Sequence, residues 1–242
     1  MDGEWKRLAA VAVALAAAAT TLGVRAAALS LRPHLRPPVV SEVRSSAPNS
    51  INPLRAHNPT ARWLDGLMFD SLTQFKRGRL WPGLADHWQA SHHEKTWHIQ
   101  LNPRAKWWNG RPISARDVVW SYRLKLRQWP KQPLASLRPQ FSINGTLALG
   151  VTLDRPDARF MRQFTSTGPV SWILPAFLLT KLKPKALMTT PYLDDPVDIV
   201  GSGPYRLLSL NAHSARLQAN MHYFLGIAKP EGILVHFSGQ HG

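Results

Sequence analysis

His87, His92, His93 and His98 bring four imidazoles close together in the chain, and imidazole is a common metal ligand. Their spacing fits no zinc motif, and no acidic or thiolate ligand is fixed beside them. His92 and His93 fall in the polar stretch 91–95, which reads as a turn. They are expected in solvent, and no metal site is assigned. Asp194, Asp195 and Asp198 offer a carboxylate pair for general acid–base work. They flank Pro196 in a loop with no second catalytic group beside them, so a turn role is expected. Gly201-Ser202-Gly203-Pro204-Tyr205 lacks the third glycine and the strand–helix setting of a dinucleotide site. Its glycines point to a tight turn in which a left-handed backbone is allowed. Without cysteine there is no disulfide framework and no thiolate-bound metal. No nucleophile–base pair is in sight, so neither an enzyme nor a cofactor is expected.

Thirty Lys and Arg against fourteen Asp and Glu give a formal charge of +16, which attracts polyanions. The cations are dispersed from Lys6 to Lys229 rather than gathered in one stretch. No nucleic acid partner is therefore expected, and a basic nucleic-acid or surface-interaction module stands as an alternative. Trp81, Trp88, Trp97, Trp107, Trp108 and Trp120 could form a stacking platform. They interleave with Leu and Val at strand and helix spacing, so a core is the expected use.

The elements that position these residues are legible around 80–129. Trp97, Ile99 and Leu101 alternate with polar residues, which predicts a strand over 96–101. A helix is expected from Ala115. Ser114 suits its N-cap, Asp117 three residues on completes a capping box, and Ile113 and Val118 stand where a hydrophobic staple would put them. Val118, Val119, Tyr122, Leu126 and Trp129 mark its apolar stripe. Upstream, a short strand is expected over 39–43. Thr60 is the expected cap of a helix over 61–72 that buries Trp63, Leu64, Leu67, Met68 and Leu72, and Phe75, Gly78 and Leu80 suggest a hairpin next. Residues 130–146 are Pro-rich and weakly patterned. Downstream, strands are expected over 147–153, 205–209 and 233–237, and Asp154 is the expected cap of a short helix over 156–164.

The N-terminus reads as a targeting segment over 1–28. Trp5, Lys6 and Arg7 precede an apolar run from Leu8 to Val24, and Ala26-Ala27-Ala28 offers a cleavage site. An uncleaved run would act as a signal anchor instead. Residues 29–37 then form a linker.

The stretch 80–129 also carries a resemblance. Pro82, Leu84, Ala85 and Trp88 are followed by Thr96, Trp97 and Leu101, and then by Lys106, Trp107, Asn109, Gly110, Pro112, Ser114, Ala115, Asp117 and Val118. This order resembles the family 5 extracellular solute-binding proteins, the peptide/nickel class of ABC-importer receptors. Gly201, Ser202, Gly203, Pro204 and Tyr205 are similar to the family's G-T-G-P-Y, with Ser in place of Thr. Ile99 replaces the family's usual Phe, and Asn102-Pro103 interrupts its Leu-Arg step.

The resemblance implies an α/β fold: a type II periplasmic-binding-protein-like lobe with an inserted α/β subdomain, the second lobe missing. Its core sheet would come from 38–59 and 190–237, the insert from 60–189, and 238–242 would be a tail. Ser50, Asn52 and Asp70 are the ligand-cleft candidates, Asn52 having an Asx-turn as its alternative role. Trp88, Trp97, Trp107, Gly110, Ser114, Asp117, Gly201, Gly203, Pro204 and Tyr205 are structural by the same likeness. The implied function is the substrate-binding component of an ABC importer for peptides or a similar small solute, as a partial copy. A truncated, non-binding remnant is the alternative. The implied partners are the solute, an ABC permease in the inner membrane and a separately encoded second lobe. The implied location is the periplasm, or the inner membrane if the signal stays uncleaved. The strand at 233–237 is expected to present a hydrophobic edge.

Overall fold

The computed structural model describes residues 39–165 and 171–239. The targeting segment and linker expected over 1–37 lie outside these residues. Among the described residues no helix is long and apolar enough to cross a membrane.

The chain opens with β1 (Val39–Arg44) and a loop that leads into α1 (Pro59–Met68). The hairpin β2 (Thr73–Lys76) and β3 (Arg79–Pro82) follows, then β4 (Ala85–Ser91) and β5 (Thr96–Leu101). The turn before β5 has positive φ at His92, His93 and Glu94, and both histidines are exposed there. After α2 (Ala115–Gln128) come β6 (Gln140–Ile143) and β7 (Ala148–Thr152). Three one-turn helices, α3 (Ala176–Leu179), α4 (Pro184–Leu187) and α5 (Pro191–Asp194), lead to β8 (Tyr205–Leu210), β9 (Ser214–Ala219) and β10 (Gly232–Phe237).

Two four-stranded sheets result. One runs β1-β10-β9-β8 and joins the two ends of the described chain; the other runs β4-β5-β7-β6 and is built from its middle. The β1–β10 pair is parallel, with Val39 opposite Gly232 and Arg44 opposite Phe237. The hairpin β2–β3 forms a small sheet by itself.

Each four-stranded sheet has its own core. Leu101, Val118, Tyr122, Leu149, Phe160 and Phe164 fill the first core, that of the β4-β5-β7-β6 sheet, with the Tyr122 and Phe164 rings edge to face at 4.6 Å. Leu64, Met68, Tyr205, Leu217 and Val235 fill the second. Adjacent tryptophans divide between them, Trp107 in the first and Trp108 in the second. α2 serves both cores as well. Val118, Val119 and Tyr122 enter the first and Leu124 the second, so the helix is buried on two sides.

That double burial accounts for Lys125, which sequence periodicity did not place inside. Lys125 is 1% exposed and its Nζ donates to the Trp172 carbonyl. Burial pulls its ammonium down to about 7, against the opposing charge of Asp65. Burial likewise holds the Asp65 carboxyl well above the usual carboxylate range, against Lys125 and Arg62.

The capping box at α2 is present as expected. Ser114 Oγ accepts from the Asp117 amide, and Asp117 Oδ2 accepts from the Ser114 amide at 2.9 Å. Several expectations need correction. α1 starts at Pro59 rather than Ala61, and Asn58 rather than Thr60 caps it, its Oδ1 accepting from Ala61 N at 2.8 Å. Pro59 suits the first helical position because its missing N–H has no partner to lose. The helix also stops at Met68, since the Met68 carbonyl accepts from Ser202 N and Gly203 N instead of continuing the helix. The helix expected over 156–164 is only a 3-10 turn over Phe160–Phe164. Asp157, not Asp154, fixes its approach by accepting from Arg159 N. Within the weakly patterned 130–146 lies β6, paired along β7. Trp81 is 48% exposed and stands outside both cores. β10 is no edge: it pairs with β1 on one side and β9 on the other, which leaves β1 and β8 as the edges of that sheet.

Candidate functional site

The parallel pair gives the sheet a direction. In open α/β sheets ligands gather beyond the carboxyl ends of parallel strands. Here that end is marked by Arg44 and Phe237, where Ser238 N donates to the Arg44 carbonyl. The loop 45–58, the lip of the expected cleft, leaves β1 at this end.

Short polar side chains shape the lip. Asn49 Oδ1 accepts from His57 N and Asn58 N at 3.1 and 3.0 Å, and its Nδ2 donates to the Arg55 carbonyl. Ser50 Oγ accepts from Asn52 N at 3.1 Å and donates to Asp194 Oδ1 at 2.8 Å. Asn52 is fully buried; its Oδ1 accepts from Leu54 N and its Nδ2 donates to the carbonyls of Leu187 and Met188. Arg55 reaches the same segment, with Nη1 3.2 Å from both Met188 O and Asp194 Oδ2. The Asx-turn at Asn52 is therefore present, and Ser50 and Asn52 spend their polar groups tying the lip to α4 and α5. Apart from Ser45 beside β1, the side chains the lip leaves exposed are Asn49, Arg55 and His57. Sequence reasoning passed over these three because exposure in a loop has no periodic signature.

Asp70 lies at the other end of the sheet, beside Ser202 and Tyr223. Its backbone N–H donates to Ser202 Oγ at 2.9 Å, and its Oδ1 accepts from the Tyr223 hydroxyl at 2.7 Å. Its Oδ2 makes no hydrogen bond among the described residues. Burial pushes the carboxyl up to about 7, against the hydrogen bond from Tyr223. Burial and the Asp70 charge together hold the Tyr223 phenol protonated as a donor. Asp70 lines a cavity of about 390 Å³ with Phe69, Trp172 and Tyr223.

The G-S-G turn makes this junction possible by close approach, not by left-handed backbone. Neither Gly201 nor Gly203 has positive φ. A Cβ at Gly201 would overlap the Met68 carbonyl and the Trp108 ring, and one at Gly203 the Leu67 carbonyl. Trp108 closes the turn: its N donates to Gly201 O at 2.9 Å and its Nε1 to Gly203 O at 3.1 Å. Thus Ser50 and Asn52 share one end of the sheet, and Asp70 stands apart from them at the other. Among the described residues no group of three or more His, Asp or Glu could hold a metal.

Solved structures define the class of fold. The oligopeptide-binding protein AppA from Bacillus subtilis, in complex with a nonapeptide, superposes with a TM-score of 0.72 at 18% identity, over 84% of this chain and 41% of that one. NikZ from Campylobacter jejuni, in complex with Ni(L-His), gives 0.68 at 22% identity, over 82% and 39%. The fold is that of a type II periplasmic-binding-protein-like lobe, as the resemblance implied. The chain itself belongs to the bacterial extracellular solute-binding proteins, family 5, whose model, "Bacterial extracellular solute-binding proteins, family 5 Middle", matches residues 79–240. It is 32% identical over 96 residues to the periplasmic oligopeptide-binding protein OppA of Haemophilus influenzae, which is 40% of this chain and 17% of that relative. The chain thus covers about two-fifths of the solved chains and under a fifth of this curated relative.

Proposed function

We propose that this chain is one lobe of the substrate-binding component of an ABC importer. It holds a peptide or a similar small solute in the periplasm and delivers it to a permease in the inner membrane. The reading involves no catalysis. Family membership supports it. So does the range of solutes in the structural neighbours, a nonapeptide in one and Ni(L-His) in another. The observation that carries it is the lip at the carboxyl end of the parallel β1–β10 pair, held rigid by the buried Asn52. In this reading Arg55 and His57 face the solute, and Asn49, Ser50 and Asn52 shape the loop behind them. Residues 38–59 and 190–237 form the lobe's core sheet and 60–189 the inserted subdomain, a division supported by strand membership in the two four-stranded sheets, although Leu64 and Met68 of α1 pack into the core of the β1-β10-β9-β8 sheet.

A single lip offers one row of contacts. Association costs roughly 4–15 kcal/mol of lost freedom, and half a cleft must meet all of it. Isothermal calorimetry with a pool of di- to pentapeptides should therefore show weak binding by this chain alone. Micromolar binding should appear when a second lobe is supplied as a separate polypeptide, and Arg55→Ala and His57→Ala should weaken it. Titrations at low and physiological salt separate this from nonspecific attraction to the positive charge. No binding in either format would favour a non-binding remnant and overturn the proposal.

A further inference from the structure

A cavity larger than the one beside Asp70 lies away from the lip. It measures about 640 Å³ and is lined by Arg104, Lys106, Trp107, Arg206, His222 and Phe224, among others. That volume lies in the usual range for small-molecule sites. The strand registers place it at the other end of the sheet from the lip. Tyr205 pairs with Ala219 and Gln218 with Gly232, whereas the lip follows Arg44 opposite Phe237.

The lining has one sign of charge. None of its residues is Asp or Glu, and none of the ion pairs among the described residues uses Arg104, Lys106 or Arg206. A cleft lined by cations alone focuses positive potential and raises the local concentration of anions. Arg206 is held in place, since its Nη2 donates to the Trp108 carbonyl. A guanidinium fixed at one edge can still offer its remaining N–H groups to a carboxylate or phosphate. Aromatic rings line the rest: Tyr223 is half-buried, Trp108 and Phe224 show only an edge, and Trp107 lies behind them in the core. Trp107 also has a buried indole N–H with no hydrogen-bond partner among the described residues.

We propose that this cavity binds a small organic oxyanion, its acidic head toward Arg104, Lys106 and Arg206 and its apolar body against Tyr223 and the exposed edge of Phe224. The site is separate from the solute lip, and neither depends on the other. Carboxylate and phosphate heads share the chemistry, and the test distinguishes them.

The full chain would be titrated with benzoate, phenyl phosphate and inorganic phosphate at about 0.15 M salt, a screening length of about 8 Å. Calorimetry gives the stoichiometry, and tryptophan fluorescence reports on the walls. Saturable one-to-one binding of benzoate or phenyl phosphate is expected, and the tighter of the two identifies the head group. Inorganic phosphate, without an apolar body, should bind about tenfold more weakly or worse, a difference of about 1.4 kcal/mol. The double variant Arg104→Gln/Lys106→Gln removes two exposed cations and should weaken binding about tenfold or more. A control double variant, Lys183→Gln/Lys185→Gln, removes the same charge outside the lining and should change binding by less than about twofold. Equal weakening by both pairs would make the effect one of net charge and overturn the site. Absence of saturable binding at this salt would also overturn it, as would inorganic phosphate binding as tightly as the organic anions.

Discussion

At the Arg44–Phe237 end of the sheet, the lip turns its buried polar groups inward and bonds them. Ser50 and Asn52 hold amides, carbonyls and Asp194 at 2.8–3.3 Å. At the Tyr205–Gly232 end, the close-packed junction leaves Asp70 Oδ2 and Trp107 Nε1 without hydrogen-bond partners among the described residues and sits beside cavities of about 390 and 640 Å³, whereas at the lip end the unpaired buried atom is Arg44 Nε, on the strand and not in the loop. The difference separates shaping from binding. A buried group with all its partners fixes a backbone, whereas an unpaired one carries a desolvation cost of about 1–3 kcal/mol. The first end therefore presents a rigid outline and works through what it exposes. The second end keeps polar capacity in reserve.

The comparison breaks most sharply at Gly201. Gly201→Ala drives a Cβ into the Met68 carbonyl and the Trp108 ring, neither of which is a flexible side-chain tip. A loss of about 3 kcal/mol or more is expected, measured by denaturant unfolding. A stable Gly201→Ala variant would mean that the junction is far looser than its hydrogen bonds imply.

Asn52→Ala tests the lip. It strips partners from Leu54 N and from the carbonyls of Leu187 and Met188. The expected cost is about 2–3 kcal/mol. Equal stability together with lost peptide binding would show Asn52 to be a solute contact and reverse the roles assigned to the lip.

Asp70 sharpens the contrast through pH. Burial raises its carboxyl from an ordinary 3.8 to about 7 in the folded chain. The folded state then holds this proton more tightly than the unfolded chain does. The contribution to stability is full below about pH 4 and is lost as pH rises through about 7, by at most about 1.4 kcal/mol per pH unit. Asp70→Asn should remove that slope. Unfolding midpoints between pH 4 and 8 should show the variant gaining on the native protein as pH rises, with a plateau above about 7. A constant difference would put the carboxyl in contact with water.

Ser114→Ala is the reference between the two ends and should cost about 0.5–2 kcal/mol, the usual range for a lost cap. Asp117 would lose its bond from the Ser114 hydroxyl but keep those from the amides of Ser114 and Ala176. Thermal unfolding checks the loss. Unchanged stability with altered solute binding would end the capping account.

Local chemistry was readable wherever neighbours in sequence decide the outcome. The strand expected over 96–101 matches β5, and the helix expected from Ala115 begins there behind the Ser114–Asp117 box. Alternation and capping act over a few residues, so one sequence carries the whole signal. Where two signals competed, the sequence misled. Thr60 looked like a cap, but Pro59 inside the helix moved the cap to Asn58. Lys125 sat outside the apolar stripe, yet the second core covers its side of α2. The 233–237 segment was legible as a strand but not as an interior one, because its partners β1 and β9 lie at unequal and partly large separations along the chain.

The site divides in the same way. The sequence by itself determined the family pattern, the turn chemistry at Asn52 and the two glycines at 201 and 203. Only the tertiary structure decided that those glycines serve close approach to Met68 and Trp108, and that Asp70 meets Tyr223, 153 residues away. It alone decided that Ser50 and Asn52 face inward. The physical reason is that hydrogen-bond satisfaction and cavity shape belong to groups brought together by folding. A single chain read in order carries no measure of which distant groups will be left unpaired.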